Sequence, residues 1–179
     1  MFAKSAPRYI RAVITLQSIE MREIRLPLKE PFRISSGIVS ERRILLLELA
    51  DTNGLSVWSE CVAGEYPNYS PETIDTAWFA IEHWIAPRLL GHALEYTAVH
   101  DHLDVDIRGH EMARASVEMG CWALAALQRD ISLARLLGGT RAEVGVGISL
   151  GIQESPAALV QRAAAAGLSR AHFSREFRR

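Results

Sequence analysis

Lysine is almost missing from this chain of 179 residues: it occurs only as Lys4 and Lys29. Chemistry that needs an amine base beyond residue 29 is therefore excluded, whatever the fold. Cysteine is as scarce, with Cys61 and Cys121 alone. Two distant thiols in a chain that is 49% hydrophobic read as buried core residues rather than a disulfide framework, which fits a reducing cytoplasm. An excess of one charge is also absent. Twenty Lys and Arg against 21 Asp and Glu leave a net charge of -1, with no electrostatic footprint for nucleic acid or an anionic membrane. No apolar run reaches the length of a membrane span. The early run Ala12-Val-Ile-Thr-Leu16 is too short for a signal-peptide core. Residues 1–11 read as an N-terminal extension.

What is present is patterned like a globular protein. Residues 12–26 alternate imperfectly, which predicts a strand with a bulge. Pro27 and Pro31 break the pattern, and Pro31–Gly37 reads as a loop. Arg43–Ala50 and Leu55–Val62 form a hairpin around Asp51–Gly54, with Asn53-Gly54 supplying positive φ angles. A second loop, Gly64–Tyr69, carries Tyr66 and Tyr69. Ser70-Pro71 opens a helix that Pro87 and Gly91 end. A short helix covers Thr97–Asp106. A longer one, from about His110 to Arg129, places Met112, Ala115, Met119, Trp122 and Ala126 on one face. Leu133–Leu137 is a short helical piece that breaks at Gly138-Gly139. The pattern then changes: Val144–Leu150 is an apolar strand, Ser155-Pro156 opens an alanine-rich helix, and Gly167 closes it. That is one βα unit, which cannot bury its own faces.

Six stretches carry a resemblance. They are Leu26–Gly37, Trp58–Ala63, Tyr69–Glu72, Gly109–Gly120, Leu136–Gly139 and Gly145–Ile152. In this order they resemble the enolase superfamily, and within it the subgroup of o-succinylbenzoate synthases and N-succinylamino acid racemases. Ala123 departs from the pattern, which usually has Asp after the Trp. The resemblance implies an α+β capping domain (antiparallel sheet plus helices) followed by the first strand and helix of a (β/α)7β TIM-like barrel that is incomplete. The expected divisions are an extension at 1–11, a capping domain at 12–108, the start of the barrel domain at 109–167 and an aberrant tail at 168–179. It also implies, for intact members, a Mg2+ ion held by three carboxylates and two lysine bases that remove the proton α to a carboxylate. One base belongs to a Lys-x-Lys motif just past the position of Gly167. Here Arg170–Arg175 stands in that place, so the match reads as truncated. The expected partner is a small-molecule carboxylate in the intact family, with no nucleic acid, no membrane and a homo-oligomer left open. For this chain no cofactor and no turnover are expected. The alternative is a non-catalytic α+β binding or interaction module.

The resemblance places Phe32, Arg33 and Ser36 on one substrate-covering loop and Tyr69 beside another. The plainer reading makes Phe32 a packing residue and Arg33 a solvated charge. Ser149, at the C-terminal end of the first barrel strand, is a candidate hydrogen-bond donor to substrate or else a serine bonded to backbone. His100, His102, Asp104 and Asp106 invite a metal reading, but alternate residues of a helix diverge by about 100° per step, so they do not converge. His110 and Glu111 read as a helix cap, Trp58 and Trp78 as core, Glu60 as a hydrogen-bonded structural acid, and both cysteines as unreactive.

Overall fold

A single strand, β1, runs over Val13–Ile34, straight through both prolines and most of the expected loop. It turns back into β2, Gly37–Asp51, which turns again into β3, Ser56–Cys61. The short β4, Ala93–Glu95, completes a sheet of order β3-β2-β1-β4. β4 covers β1 only at Val13–Thr15. Beyond that stretch β1 is an edge strand, where a missing N–H costs no ladder bond. Pro27 and Pro31 lie four residues apart, so both address the same edge, which is why they do not end the strand. The computed structural model describes residues 12–35, 37–145, 147 and 149–166. These fall into two compact units, bounded by Met1–Arg25 with Arg43–Ala142 and by Leu26–Arg42 with Glu143–Arg179.

The first unit holds the main core. Ile14 and Leu16 are buried, and the inward phase then shifts by one so that Ile19 and Met21 pack against the same core. This is the change of phase that the imperfect alternation predicts. On β2, Leu45, Leu47 and Leu49 alternate inward and are fully buried. The β2–β3 turn differs from expectation. Only Gly54 has positive φ, at 83°, while Asn53 does not. The Asp51 carboxylate instead accepts the N–H groups of Asn53 and Leu55, both at 2.9 Å, and its side chain shapes the turn.

The helices follow. Helix α1, Ile74–Ala80, starts three residues after the expected Ser70-Pro71. Its N-cap is Thr73, which accepts from Thr76 N at 3.2 Å, while Thr73 N donates to Thr76 Oγ1 at 2.9 Å. Ser70 serves a smaller purpose, accepting from Glu72 N at 3.0 Å. A single π turn, Ile81–Ile85, then leads into α2, Ala86–Leu89, so Pro87 lies within the helix rather than ending it. The wide turn absorbs a residue that has no N–H to donate and a ring that would clash with a regular preceding turn. Thr73→Ala removes this reciprocal cap and is expected to lower stability by about 1 kcal/mol. The check is a lower denaturant midpoint at unchanged slope.

A 3-10 turn at Tyr96–Ala98 leads into α3, Val99–Asp104, and the longest helix, α4, spans Glu111–Leu127. Helix α4 packs on β3. Its most buried positions include Ala113, Ser116, Val117, Gly120, Cys121 and Leu124, so the inner face is turned from the expected stripe, of which Ala126 is buried, Met112 and Trp122 pack against the core, and Ala115 and Met119 are exposed. Small residues mark the part of that face where the helix lies close against the sheet, as at Gly120 over Leu49. α5, Leu133–Leu136, is capped by Ser132 and ends at Gly138, where φ is 81°.

In the second unit, α6 spans Pro156–Ala165 with Ser155 as N-cap, as the sequence implies. The strand expected at Val144–Leu150 is not formed among the described residues of that stretch. A parallel strand needs neighbours that accept and donate along both edges, and among the described residues none pairs with this stretch.

Candidate functional site

Each unit presents one of the expected substrate-covering segments. In the first unit, β3 ends at buried Cys61, and a loop leads to the start of α1. The loop's base is closed by a bridge between Gly64 and Thr73 and by Ile74 N donating to Gly64 O at 2.9 Å. Its outer residues are left to solvent: Tyr66 is 70% and Tyr69 is 95% exposed. Just inside the base sits Glu72, which is buried. Its carboxylate accepts Met112 N at 2.7 Å and Ala113 N at 3.0 Å. Those are free donors of the first turn of α4, so Glu72 caps a helix 40 residues away in sequence. The expected cap, His110 with Glu111, does not form: His110 makes no side-chain capping bond and has φ of 53°. Burial pushes the Cys61 thiol up, and the nearby Glu72 charge adds to it. Burial also pushes Cys121 up, to about 12. Both thiols are free and buried, and neither is activated.

In the second unit, the far end of the β1–β2 ribbon carries Phe32 and Arg33, here within β1 rather than on a loop. Phe32 is half-buried. The Arg33 carbonyl accepts Ile152 N at 2.8 Å. Gly151 lies flat against this contact. A Cβ there would sit 3.1 Å from Arg33 O and 3.2 Å from the Phe32 ring, tighter than side chains tolerate without a shift. Glu30 is paired with Arg162 of α6, which holds the Glu30 carboxyl below the usual carboxylate range. The backbone at Arg33 is thus tied down while its side chain is exposed. An exposed guanidinium on an anchored backbone suits a carboxylate. Ser149 is exposed two residues before Gly151 and is not on a strand. Ser36 lies outside the described residues, as does Gly167 with the tail that follows. Phe32, Arg33 and Ser149 share the second unit, and Tyr69 belongs to the first.

Other readings resolve one by one. His100 faces Glu118 at 3.6 Å, His102 Nε2 lies 3.2 Å from the Arg88 carbonyl, and Asp104 pairs with Arg114 at 2.9 Å, so these side chains diverge. Among the described residues no three His, Cys, Asp or Glu side chains come together as metal donors. The donors present do not fit a Mg2+ site. Trp78 packs against the core as expected, but Trp58 is half exposed, with the Arg22 guanidinium 5.1 Å from its ring centroid. Both Trp58 and Glu60 fall on the outward positions of β3, which alternate with buried Cys61. Glu60 is accordingly exposed rather than buried in hydrogen bonds. Glu72 is the residue whose part the sequence reading missed. Its signal was indirect: Gly109-His110 offers no Ser, Thr, Asp or Asn to cap a long helix, so an acceptor had to come from elsewhere.

The four-stranded antiparallel sheet with its helices is the capping domain of an enolase-superfamily protein. The profile of the mandelate racemase / muconate lactonizing enzyme N-terminal domain matches residues 17–138, and the chain belongs to that family. It is similar to the o-succinylbenzoate synthase of Geobacillus kaustophilus, at 35% identity over 148 residues, 83% of this chain and 40% of that protein. It is also similar to the N-succinylamino acid racemase of Thermus thermophilus, at 38% identity over 140 residues, covering 78% of this chain and 38% of that one. An enolase-superfamily structure from Enterococcus faecalis V583 superimposes with a TM-score of 0.76 at 37% identity, over 87% of this chain and 42% of the other. The chain therefore spans about 40% of the length of the curated relatives it matches. No helix among the described residues is long and apolar enough to cross a membrane.

Proposed function

We propose that this chain is the substrate-covering part of a Mg2+-dependent enzyme that removes the proton α to a carboxylate, either to form o-succinylbenzoate or to racemise an N-acylated amino acid, and that alone it turns over neither. The observation that carries the reading is the pair of exposed aromatic residues, Tyr66 and Tyr69, on a loop closed at its base, in a cap of this family. Both relatives' names contain a succinyl group, which ends in a second carboxylate. In the second unit, Arg33 is the cation for that end, Phe32 covers the acyl or aromatic body, and Ser36 and Ser149 supply polar contacts; in the first unit, Tyr69 is the covering residue. Covering residues of this kind exclude water and orient the reacting carbon; they move no proton themselves. Mg2+ would supply charge stabilisation to the enediolate, from carboxylates that these residues do not provide. Two buried free thiols suit a reducing, cytoplasmic setting.

Activity is the first test. Purified chain with Mg2+ and either substrate class is expected to give no product above the uncatalysed rate, because no lysine follows Lys29. Mg2+-dependent dehydration or racemisation by the purified chain would overturn this. One observation favours a second reading, a non-catalytic binding module: every residue of the main core cluster belongs to the first unit. A monomer that unfolds cooperatively and binds a partner without turnover would support that reading over the first.

A further inference from the structure

We infer that Glu72 is a positioning residue for the loop that carries Tyr66 and Tyr69, setting its direction from the start of α4 rather than from the loop itself. The functional meaning rests on the reading that this loop covers a substrate. The geometry stands without it. The loop's outer residues, Glu65 to Tyr69, are all exposed and have no core of their own to hold them. What holds them is the base. The Gly64–Thr73 bridge joins the two feet to each other, and Thr73 caps α1. Glu72 ties the C-terminal foot across to α4, through both carboxylate oxygens and two N–H bonds, while Asp75 in the first turn of α1 pairs with Arg43 of β2.

The receiving end is equally fixed. The α4 helix is clamped to β3 where Ser59 Oγ donates to Ser116 O at 2.6 Å, and Ser116 Oγ donates to Ala113 O at 2.7 Å. The acceptor side of the clamp is charged and buried, and carboxylate-to-amide bonds of this kind are among the stronger ones. Two consequences follow from one side chain. Two donors of the first turn of α4, Met112 N and Ala113 N, are satisfied, and the loop's last residues cannot swing without breaking these buried charge-assisted bonds. A flexible loop held at one foot only would give Tyr69 no defined place over a ligand.

The test uses backbone amide relaxation and hydrogen exchange of the full chain, without substrate. In Glu72→Gln, amide exchange at Met112 and Ala113 is expected to rise at least about tenfold, as local protection of those donors is lost. Order parameters at Tyr66, Asn68 and Tyr69 are expected to fall into the flexible range, below about 0.6, while those at Leu47 and Val117 stay rigid. Glu72→Asp, one methylene shorter, is expected to change both readouts in the same direction and by less. Faster exchange at Met112 and Ala113 with an unchanged loop would make Glu72 a helix cap only and overturn the inference. Loss of the folded spectrum in both variants would make it a fold determinant and overturn it equally. Because no substrate is present, failure of the covering role for Tyr69 would leave these outcomes untouched.

Discussion

Gly120→Ala is expected to lower the stability of the first unit by about 1–3 kcal/mol, and Gly120→Val by more. The sign is the point of interest. In a helix interior alanine is ordinarily favoured over glycine by about 1 kcal/mol, and Gly120 lies within α4 with no positive φ to excuse it. Contact distances reverse the preference. A Cβ at Gly120 would stand 2.5 Å from Leu49 Cδ1, 2.6 Å from Cδ2 and 3.1 Å from Cγ. Leu49 has nowhere to go: its side chain is 0% exposed and its backbone is locked in register opposite Val57. The helix must move off the sheet or the leucine must leave its rotamer. Denaturant midpoints give the loss, and a double-mutant cycle with Leu49→Ala isolates its cause. Leu49→Ala alone opens a cavity, yet it removes the atoms that the new methyl meets, so the double variant should be more stable than the sum of the two singles predicts. Strict additivity would mean that the two residues do not meet as described.

The same contact explains what could be read from the sequence and what could not. Ser155-Pro156 marks α6 correctly because a cap followed by proline acts locally. The β2–β3 hairpin was legible for the same reason, since a turn residue between two apolar alternations needs no distant partner. The inner face of α4 was legible only in part. Helical spacing of apolar residues finds Met112, Trp122 and Ala126, which do pack on the core, but also Ala115 and Met119, which are exposed, whereas close packing against the sheet selects Ala113, Ser116 and Gly120, which carry little hydrophobic signal. Pro87 misled because its penalty assumes a regular α-helix, and the π turn before it changes the premise. Pro27 and Pro31 misled because their penalty assumes a strand paired on both sides. At the candidate site, Phe32, Arg33 and Tyr69 are proposed from residue type and resemblance. Glu72 lies within the stretch Tyr69–Glu72, but its partners lie 40 and 41 residues on, and nothing local announces them. The absence of a lysine after Lys29 needed no fold at all.

Asp51→Ala is expected to cost about 3 kcal/mol, because buried donors left without an acceptor cost about 1–3 kcal/mol each. Asp51 is 0% exposed and is the hub of the β2–β3 turn. It accepts from Asn53 N, Leu55 N and Asn53 Nδ2, at 2.9, 2.9 and 3.2 Å. A fourth bond, from Gln128 Nε2 at 2.9 Å, joins the turn to the end of α4. Burial by itself would raise the carboxyl's pKa, but the bonds from Gln128, Leu55 and Asn53 together outweigh it and hold Asp51 below the usual carboxylate value. The pH dependence follows from that direction. A folded-state value below the unfolded one, ordinarily about 3.9 for Asp, means that the unfolded chain takes up the proton first. The stabilisation is complete above the unfolded value, shrinks as pH falls through it and is gone below the folded one. Glu23 and Asp75 add to the same acid loss, since the Arg43 guanidinium that hydrogen-bonds to both holds them low as well. Stability measured by denaturant midpoint is therefore expected to decline below about pH 5 in the wild type and to decline less steeply in Asp51→Asn, with the residual slope carried by the Arg43 pairs. Gln128→Ala separates the contributions: it loses the link to α4 but keeps the three turn bonds, so it should fall between wild type and Asp51→Asn in both stability and acid slope. An Asp51→Asn profile parallel to wild type down to pH 3 would show that the turn carboxylate carries no proton-linked stability.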